Sequence, residues 1–331
     1  MNDDDELSAL SPHCANAARP EIAAACLPAP PALAQCSIDM VRLVRPIVCY
    51  YGSTTKPRKT ARKGSMATQS SAHSDRRYDR DFLLSPEKRN ELVELWEVER
   101  YGRDCFGDSN HVHLYGMRPQ EWYGRGVRIL ARTCLEAVKD PLGNKIGADI
   151  AEVVGRAPGS DPIGVIDPFA GSCNGLYSIL RHLPGAKGIG FEVESAVFDL
   201  TTRNIMHLNA PIELVHGSYK DLVGSTRHPA DRRIVVFLAP PWGDALHPLT
   251  GLHLDRTKPP ILEIVRDFEQ VYGSQPVLYV TEVHEVNEPT ALKAVESAFD
   301  WTDLRIYDVN VPGLQHGILL GTRRWPRRAS G

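Results

Sequence analysis

The chain has 331 residues, of which 42% are hydrophobic and 24% are charged, a balance that allows one large soluble domain with an accessory segment. The seven cysteines show no zinc-type spacing and the histidines none that would hold a metal, so we expect no disulfide scaffold, no metal and a cytoplasmic protein. No apolar run reaches the roughly 18 residues of a membrane span, and the mildly acidic charge beyond residue 75 disfavours a general nucleic-acid binder.

Residues 1–78 are predicted to be a disordered leader. They combine an acidic start, a Pro/Ala stretch around Pro30 and a basic run from Lys56 to Lys63. Such a composition cannot bury enough apolar surface to offset the entropy of the chain.

Residues 79–160 are predicted to form an N-terminal helical cap. Ser85 followed by Pro86 is typical of a helix start, and the pattern predicts a helix from there to Tyr101. Apolar residues at helical spacing predict a second helix over 123–138.

From residue 161 to residue 331, apolar strand-like runs alternate with helical patterns, which indicates an α/β fold with a Rossmann-like parallel sheet. Seven strands are predicted at 163–167, 187–192, 212–216, 233–238, 276–283, 303–310 and 316–322. Helices are predicted between them at 174–183, 195–208, 260–272 and 289–299.

The first strand runs into Asp167-Pro168-Phe169-Ala170-Gly171-Ser172-Cys173-Asn174-Gly175. A tight turn at this edge of a parallel sheet brings backbone amides and a helix start to a polar ligand. The motif resembles the Asp-x-Phe-x-Gly-x-Gly motif of class I methyltransferases, with Cys173 where a glycine is usual. The resemblance implies a seven-stranded sheet whose last strand is inserted antiparallel, and S-adenosylmethionine as the cofactor.

The second and third strands supply further cofactor residues. Glu192 stands at the end of the second strand, where an acid can accept both hydroxyl hydrogens of a ribose, and Glu194 is the alternative. Ser218 follows the third strand, where the resemblance implies an adenine contact. The predicted cofactor residues are Asp167, Phe169, Gly171, Ser172, Gly175, Glu192, Ser218 and Ala239.

The fourth strand ends in Ala239-Pro240-Pro241-Trp242-Gly243, whose two prolines force the chain into a stiff turn. This turn resembles the catalytic Pro-Pro-aromatic loop of amino-methyltransferases, among them the guanine-N2 methyltransferases of RNA caps. The resemblance implies a catalytic loop at Pro240, Pro241 and Trp242, with the Trp242 ring stacked on the acceptor. Ala239 stands where that family has a residue that can hydrogen-bond an amine.

The predicted function is S-adenosylmethionine-dependent N-methylation of a small aromatic or amine-bearing molecule, which is favoured over nucleic acid by the acidic charge. Tyr115 and Trp122 lie between the predicted cap helices and are the further candidates for substrate binding. Two alternatives stay open: methylation of a base amine in RNA or DNA, and a degenerate domain that binds cofactor and a partner without catalysis.

Overall fold

The computed structural model describes residues 80–247, 249–310 and 314–326. The predicted leader over residues 1–78 lies outside them. Within the described residues, five helices precede the first strand: α1 (Asp81–Leu84), α2 (Leu95–Tyr101), α3 (Pro119–Gly124), α4 (Ala131–Glu136) and α5 (Asp140–Arg156). One π-helical turn, Gly102–Phe106, continues α2.

The remaining elements alternate as predicted. The strands are β1 (Ile163–Asp167), β2 (Lys187–Glu192), β3 (Ile212–His216), β4 (Arg233–Leu238), a short hairpin of β5 (Leu246–His247) and β6 (Gly251–Leu252), β7 (Val277–His284), β8 (Trp301–Tyr307) and β9 (His316–Arg323). The helices are α6 (Asn174–His182), α7 (Ser195–His207), α8 (Tyr219–Leu222), α9 (Ile261–Tyr272) and α10 (Pro289–Glu296).

Seven strands form one sheet in the order β3-β2-β1-β4-β7-β9-β8. The first five of these run parallel, whereas β9 is inserted antiparallel between β7 and β8. The predicted Rossmann-like seven-stranded methyltransferase sheet is therefore confirmed. Its central strand β4 is buried along its whole length, as a strand covered on both faces must be.

Two apolar layers cover the sheet. On one face, α5 and α6 pack against β1, β4, β7 and β9, and on the other α9 and α10 do so. A third cluster holds the segment before α5 together and packs against Tyr177 of α6 and Leu208 after α7. Among the described residues no helix has the length and apolar character that crossing a bilayer requires.

The predicted bounds of the two cap helices were wrong, and one long-range backbone pairing explains both errors. Val93 donates its N–H to the Ile129 carbonyl and Ala131 donates to the Glu91 carbonyl. This pairing across nearly forty residues keeps both stretches extended. Helix α2 therefore begins only after Glu94, and the predicted 123–138 helix is divided into α3 and α4.

Helix α5 was missed by the sequence analysis because it contains glycines, which disfavour helices. The structure shows why they are there. A Cβ on Gly143 would lie 2.6 Å from the Ser178 hydroxyl, and one on Gly147 would lie 2.6 Å from the His182 ring. Both glycines therefore allow α5 to approach α6 closely.

Candidate functional site

The candidate site lies at the carboxyl edge of the sheet, where β1 and β4 are neighbours and their connections leave in opposite directions. Such a switch point is where open α/β sheets bind ligands. The loops that follow β1, β2 and β4 start at this edge, and the last residues of β7 lie there as well. The first residue of the antiparallel β9 lies there too, because His316 pairs with His284 at the end of β7.

The loop after β1 is held by side-chain hydrogen bonds to its backbone. The Phe169 N–H donates to the Asp167 carboxylate (3.0 Å), and the Thr201 hydroxyl donates to the Gly171 carbonyl (2.8 Å). Gly171 has a φ of +49° and Cys173 one of +58°, a region that costs a non-glycine residue about 1 to 2 kcal/mol. The loop is thus a shaped turn, and its conformation places α6 directly behind it.

Cys173 replaces the usual glycine because its side chain points inward. The thiol is completely buried beside Ala170 and Ile205, and burial raises its pKa well above the ordinary value. Gly175 serves packing: a Cβ there would lie 3.0 Å from the Phe237 ring.

Glu192 is bound into this loop. Its carboxylate accepts hydrogen bonds from the N–H groups of Gly171 (3.0 Å) and Glu194 (2.7 Å), one on each oxygen. A carboxylate has about four acceptor positions, so two remain for hydroxyl groups. Glu194, the alternative, points away and forms an ion pair with Arg132 at 3.4 Å. Of the two acids, Glu192 is the one that is bound into the β1 loop and keeps acceptor positions free.

The floor of the site is acidic. Asp167 is only 3% exposed, and burial, with repulsion from Glu192 and Glu282, raises its pKa to about 7. Burial likewise raises the pKa of Glu192. Repulsion between neighbouring carboxylates disfavours their ionised forms. A cationic ligand would offset this repulsion and favour the ionised forms again.

Ser218 lies at the end of β3, where its hydroxyl oxygen accepts the Lys220 N–H at 3.3 Å and caps α8. The hydroxyl hydrogen stays available to a ligand. Between Glu192 and the start of α7, Val193 exposes 62% of its surface. An exposed apolar side chain at this position is suited to contact a flat ligand, although no sequence pattern pointed to Val193.

A polar clamp fastens the segment before α5 to the loop. Asn174 is completely buried: its carbonyl accepts the Tyr115 N–H (2.6 Å), and its amide donates to the Val138 carbonyl (2.6 Å) and to Asp140 (3.0 Å). The Tyr115 hydroxyl donates to the Ser172 carbonyl (2.5 Å). The clamp therefore fixes the shape of the loop from outside the sheet.

Two predicted substrate residues lie inside this packing. Tyr115 is 3% exposed and Trp122 is fully buried, with the indole N–H of Trp122 donating to the Val112 carbonyl at 3.0 Å. Neither ring presents an open face in this structure. Both side chains serve packing, and we assign neither of them a contact with a ligand.

The loop after β4 begins at the same edge. Ala239 packs against the α5 side of the core, Pro240 is buried and Pro241 is exposed. Trp242 is half-buried and stacks on His316, with ring centroids 4.9 Å apart and planes 23° apart. One face of Trp242 is therefore covered by protein, and a planar ligand would have to use the other.

Four charged or titratable residues that the sequence analysis did not select also face this edge. Glu282 and His316 are hydrogen-bonded, with Oε1 and Nδ1 2.8 Å apart. Burial lowers the pKa of Lys139 to about 8, opposed by the charges of Glu282 and Glu136. Glu136 is exposed to solvent, yet surrounding protein raises its pKa by desolvation.

One sequence feature points to Glu282: a carboxylate interrupts the apolar end of a strand, as at Asp167 and Glu192. His316 and Lys139 had no such feature, because their positions depend on strand register and on the unpredicted α5. In the parts of the chain that the structure describes, no three His, Cys, Asp or Glu side chains are grouped to hold a metal ion.

No family model matches the sequence, and no curated protein matches it. Among solved structures, the METTL16 MTase domain is similar with a TM-score of 0.47 and 15% identity, covering 80% of this chain and 100% of that one. A human methyltransferase 10 domain containing protein has a TM-score of 0.39 and 14% identity over 56% of this chain and 84% of that one. An rRNA methylase from Streptococcus thermophilus has a TM-score of 0.35 and 13% identity over 55% and 95%. The fold assignment does not depend on them, because it follows from the strand order.

Proposed function

We propose that this protein is an S-adenosylmethionine-dependent methyltransferase that transfers the methyl group to a nitrogen of a small aromatic or amine-bearing molecule. The observation that carries the proposal is the Glu192 carboxylate, which joins the β1 loop to β2 and keeps acceptor positions open beside the buried Asp167. A nucleoside that bears a positive charge would donate hydroxyl hydrogens to Glu192 and complement the charge of Asp167.

The described residues fit such a cofactor. Glu192 would accept the ribose hydroxyls, Ser218 and Val193 would border the base, and the backbone of Gly171 and Ser172 would approach the ligand closely. Phe169 would line the pocket, since it is half-buried and its ring meets Tyr219 edge-on at 5.5 Å. When bound, S-adenosylmethionine supplies an electrophilic methyl group on a sulfonium. Its positive charge complements the acidic floor formed by Asp167, Glu192 and Glu282.

The acceptor would lie at the Ala239–Trp242 loop. Ala239 has no polar side chain, and neither Pro240 nor Pro241 has an N–H, so this loop presents carbonyl oxygens to an amine. Trp242 would stack its open face on the acceptor ring. Orientation of the acceptor nitrogen toward the methyl carbon is the main contribution that such a loop makes to the rate.

The acidic lining favours an amine over a phosphate-bearing acceptor. Asp167, Glu136, Glu192 and Glu282 approach the site, whereas Lys139, Arg132 and Arg89 are cations that lie near them. A small amine-bearing ring agrees with this charge. A base in RNA or DNA brings phosphates, which these carboxylates repel.

Transfer of a tritiated methyl group to a panel of acceptors tests the proposal. The panel contains aniline, tyramine, adenosine, guanosine and total RNA, and Glu192→Ala, assayed with sub-saturating S-adenosylmethionine, is the control with weakened cofactor binding. We expect label in an arylamine or a nucleoside. Label in RNA alone would replace the small-molecule acceptor by nucleic acid, and S-adenosylmethionine binding without transfer to any member would support the degenerate domain.

A further inference from the structure

Strand β8 ends the sheet, and its outer side is an open edge. Within the described part of the chain, β9 is the only strand that pairs with it. One side of the β8 backbone therefore presents N–H and C=O groups that no strand satisfies, and such an edge can accept a further strand. Strands β7 and β9 separate it from β4, so this edge is distinct from the candidate site described above.

One face of this edge strand is apolar and open. Leu304 and Ile306 project from the same face, because side chains alternate along a strand, and 40% and 43% of their surfaces are exposed. Leu304 lies beside the buried Leu319 of β9. The apolar face of the sheet thus continues outward to β8 and ends there uncovered, where one more strand would extend it.

The opposite face of β8 carries charges. Arg305 forms an ion pair with Asp303 on its own strand at 2.8 Å. It also forms ion pairs with Asp149 and Glu152 of α5, at 2.5 and 2.9 Å. Three carboxylates therefore share one guanidinium. The side chain of Asp303 is still 38% exposed, so it can take a second cation from a neighbouring strand.

The order of side chains along β8 is complementary to itself when the strand is reversed. From either end it reads aromatic, β-branched, charged, leucine, charged, β-branched and aromatic: Trp301, Thr302, Asp303, Leu304, Arg305, Ile306 and Tyr307. A second β8, placed antiparallel with Leu304 opposite Leu304, brings Asp303 of each copy opposite Arg305 of the other. Thr302 then lies opposite Ile306, and Trp301 opposite Tyr307. Opposite-charge, aromatic and β-branched cross-strand pairs all stabilise antiparallel sheets.

The charges also select this register. Sliding the second strand by two residues would bring Asp303 opposite Asp303 in one direction and Arg305 opposite Arg305 in the other. Like charges directly opposite one another destabilise a sheet. Sliding by one residue would move every side chain to the wrong face. Pairing centred on Leu304 is the arrangement that joins both the charges and the apolar faces.

We infer that the β8 edge is an interface between two copies of this chain, paired antiparallel about a two-fold axis at Leu304 so that the two sheets become one. Each copy uses the same strand, so the contact is isologous and closes at the dimer. The contact extends along one short strand, which makes the dimer weak and dependent on concentration. The inference does not depend on the proposed function.

Sedimentation velocity tests it on the full chain, between about 1 μM and about 500 μM, the range in which small interfaces associate. We expect the wild type to pass from monomer to dimer over this range. At the axis Leu304 faces its own copy, so Leu304→Lys and Leu304→Glu should each stay monomeric. An equal mixture of the two should form a dimer again, because Lys then lies opposite Glu.

The matched controls are Met206→Lys and Met206→Glu, which change an exposed apolar side chain of α7. Each should dimerise like the wild type. A wild type that stays monomeric throughout, a dimer that persists in Leu304→Lys, or a mixture that stays monomeric would overturn the inference.

Hydrogen exchange of the wild type decides the question even if the Leu304 variants do not fold. We expect the amides of β8 to exchange more slowly at the highest concentration than at the lowest. The amides of β3, the strand at the other end of the sheet, should exchange equally at both. Exchange in β8 that does not change with concentration, or protection of β3 in its place, would contradict pairing at this edge.

Discussion

The Glu192 carboxylate accepts the backbone N–H of Gly171 at a distance of 3.0 Å. This contact joins the end of β2 to the middle of the loop after β1, 21 positions earlier in the chain. Because the second carboxylate oxygen accepts the Glu194 N–H, the side chain has a fixed orientation before any ligand arrives. The proposed ribose site is therefore formed by the fold itself.

The buried Asp167 should make the stability of the protein depend on pH. Its pKa is raised to about 7, so between about pH 4 and pH 7 the native state holds a proton that the unfolded chain has released. Stability therefore falls as the pH rises through this window. We expect Asp167→Asn to exceed the wild type in free energy of unfolding by a larger margin at pH 8 than at pH 5, with the two margins differing by at most about 3 kcal/mol.

Denaturant unfolding at both pH values measures this, with the exposed Asp231→Asn as the matched control. If the free energies of unfolding of Asp167→Asn and the wild type differed by the same amount at pH 5 and at pH 8, the account would be contradicted.

The same carboxylate should couple cofactor binding to proton release. A cation near Asp167 favours its ionised form, so binding of S-adenosylmethionine should expel protons when the pH is near the Asp167 pKa of about 7. Titration calorimetry at that pH, in buffers of different ionisation enthalpy, counts the protons. We expect net release in the wild type and little in Asp167→Asn. Proton uptake, or equal release by the two proteins, would show that the cation does not face Asp167.

Two glycines of α5 offer a matched pair of substitutions. A Cβ at Gly147 would lie 2.6 Å from the His182 ring and 3.0 Å from the Ser178 carbonyl, whereas one at Gly155 would meet nothing within 4 Å. We expect Gly147→Ala to destabilise the protein by about 1 to 3 kcal/mol through overpacking. Gly155→Ala should stabilise it by about 0.4 to 1 kcal/mol. Equal thermal midpoints for the two variants would argue against the close approach of α5 and α6.

Trp242 should act on the acceptor and not on the cofactor. We expect Trp242→Ala to weaken acceptor binding by about 1 to 3 kcal/mol, the range measured for a base on an aromatic ring, while Trp242→Phe retains most activity. Steady-state kinetics with the labelled acceptor, together with cofactor calorimetry, separate the two effects. If Trp242→Ala instead lost cofactor and acceptor binding together, the side chain would be a structural wedge that stabilises the loop.

Much of the sheet could be predicted because each buried strand is a short apolar run between turn residues. The predicted bounds of β1 to β4 agree with the structure, and Asp167 and Glu192 were identifiable as polar residues at the ends of such runs. The segment before the sheet was less predictable. Its helices are interrupted by the pairing of Val93 with Ile129, a long-range contact that local periodicity does not contain.

The residues on the acceptor side of the site likewise could not be predicted from the sequence. Glu282 and His316 stand 34 positions apart and meet only through the register of β7 with β9, which an apolar pattern does not specify to one residue. Trp242 was found from its prolines. Its stacking partner His316 was not, because histidine at the start of a strand has no distinctive local pattern.

The most direct measurement is a calorimetric titration of S-adenosylmethionine into the wild type, Glu192→Ala and Glu213→Ala, the last being an exposed acid on β3. The account predicts saturable binding to the wild type and to Glu213→Ala. In a folded Glu192→Ala it predicts binding weaker by about 1 to 3 kcal/mol, because the ribose hydroxyls lose their charged acceptor. Equal affinity in all three proteins, or no binding to the wild type, would contradict it.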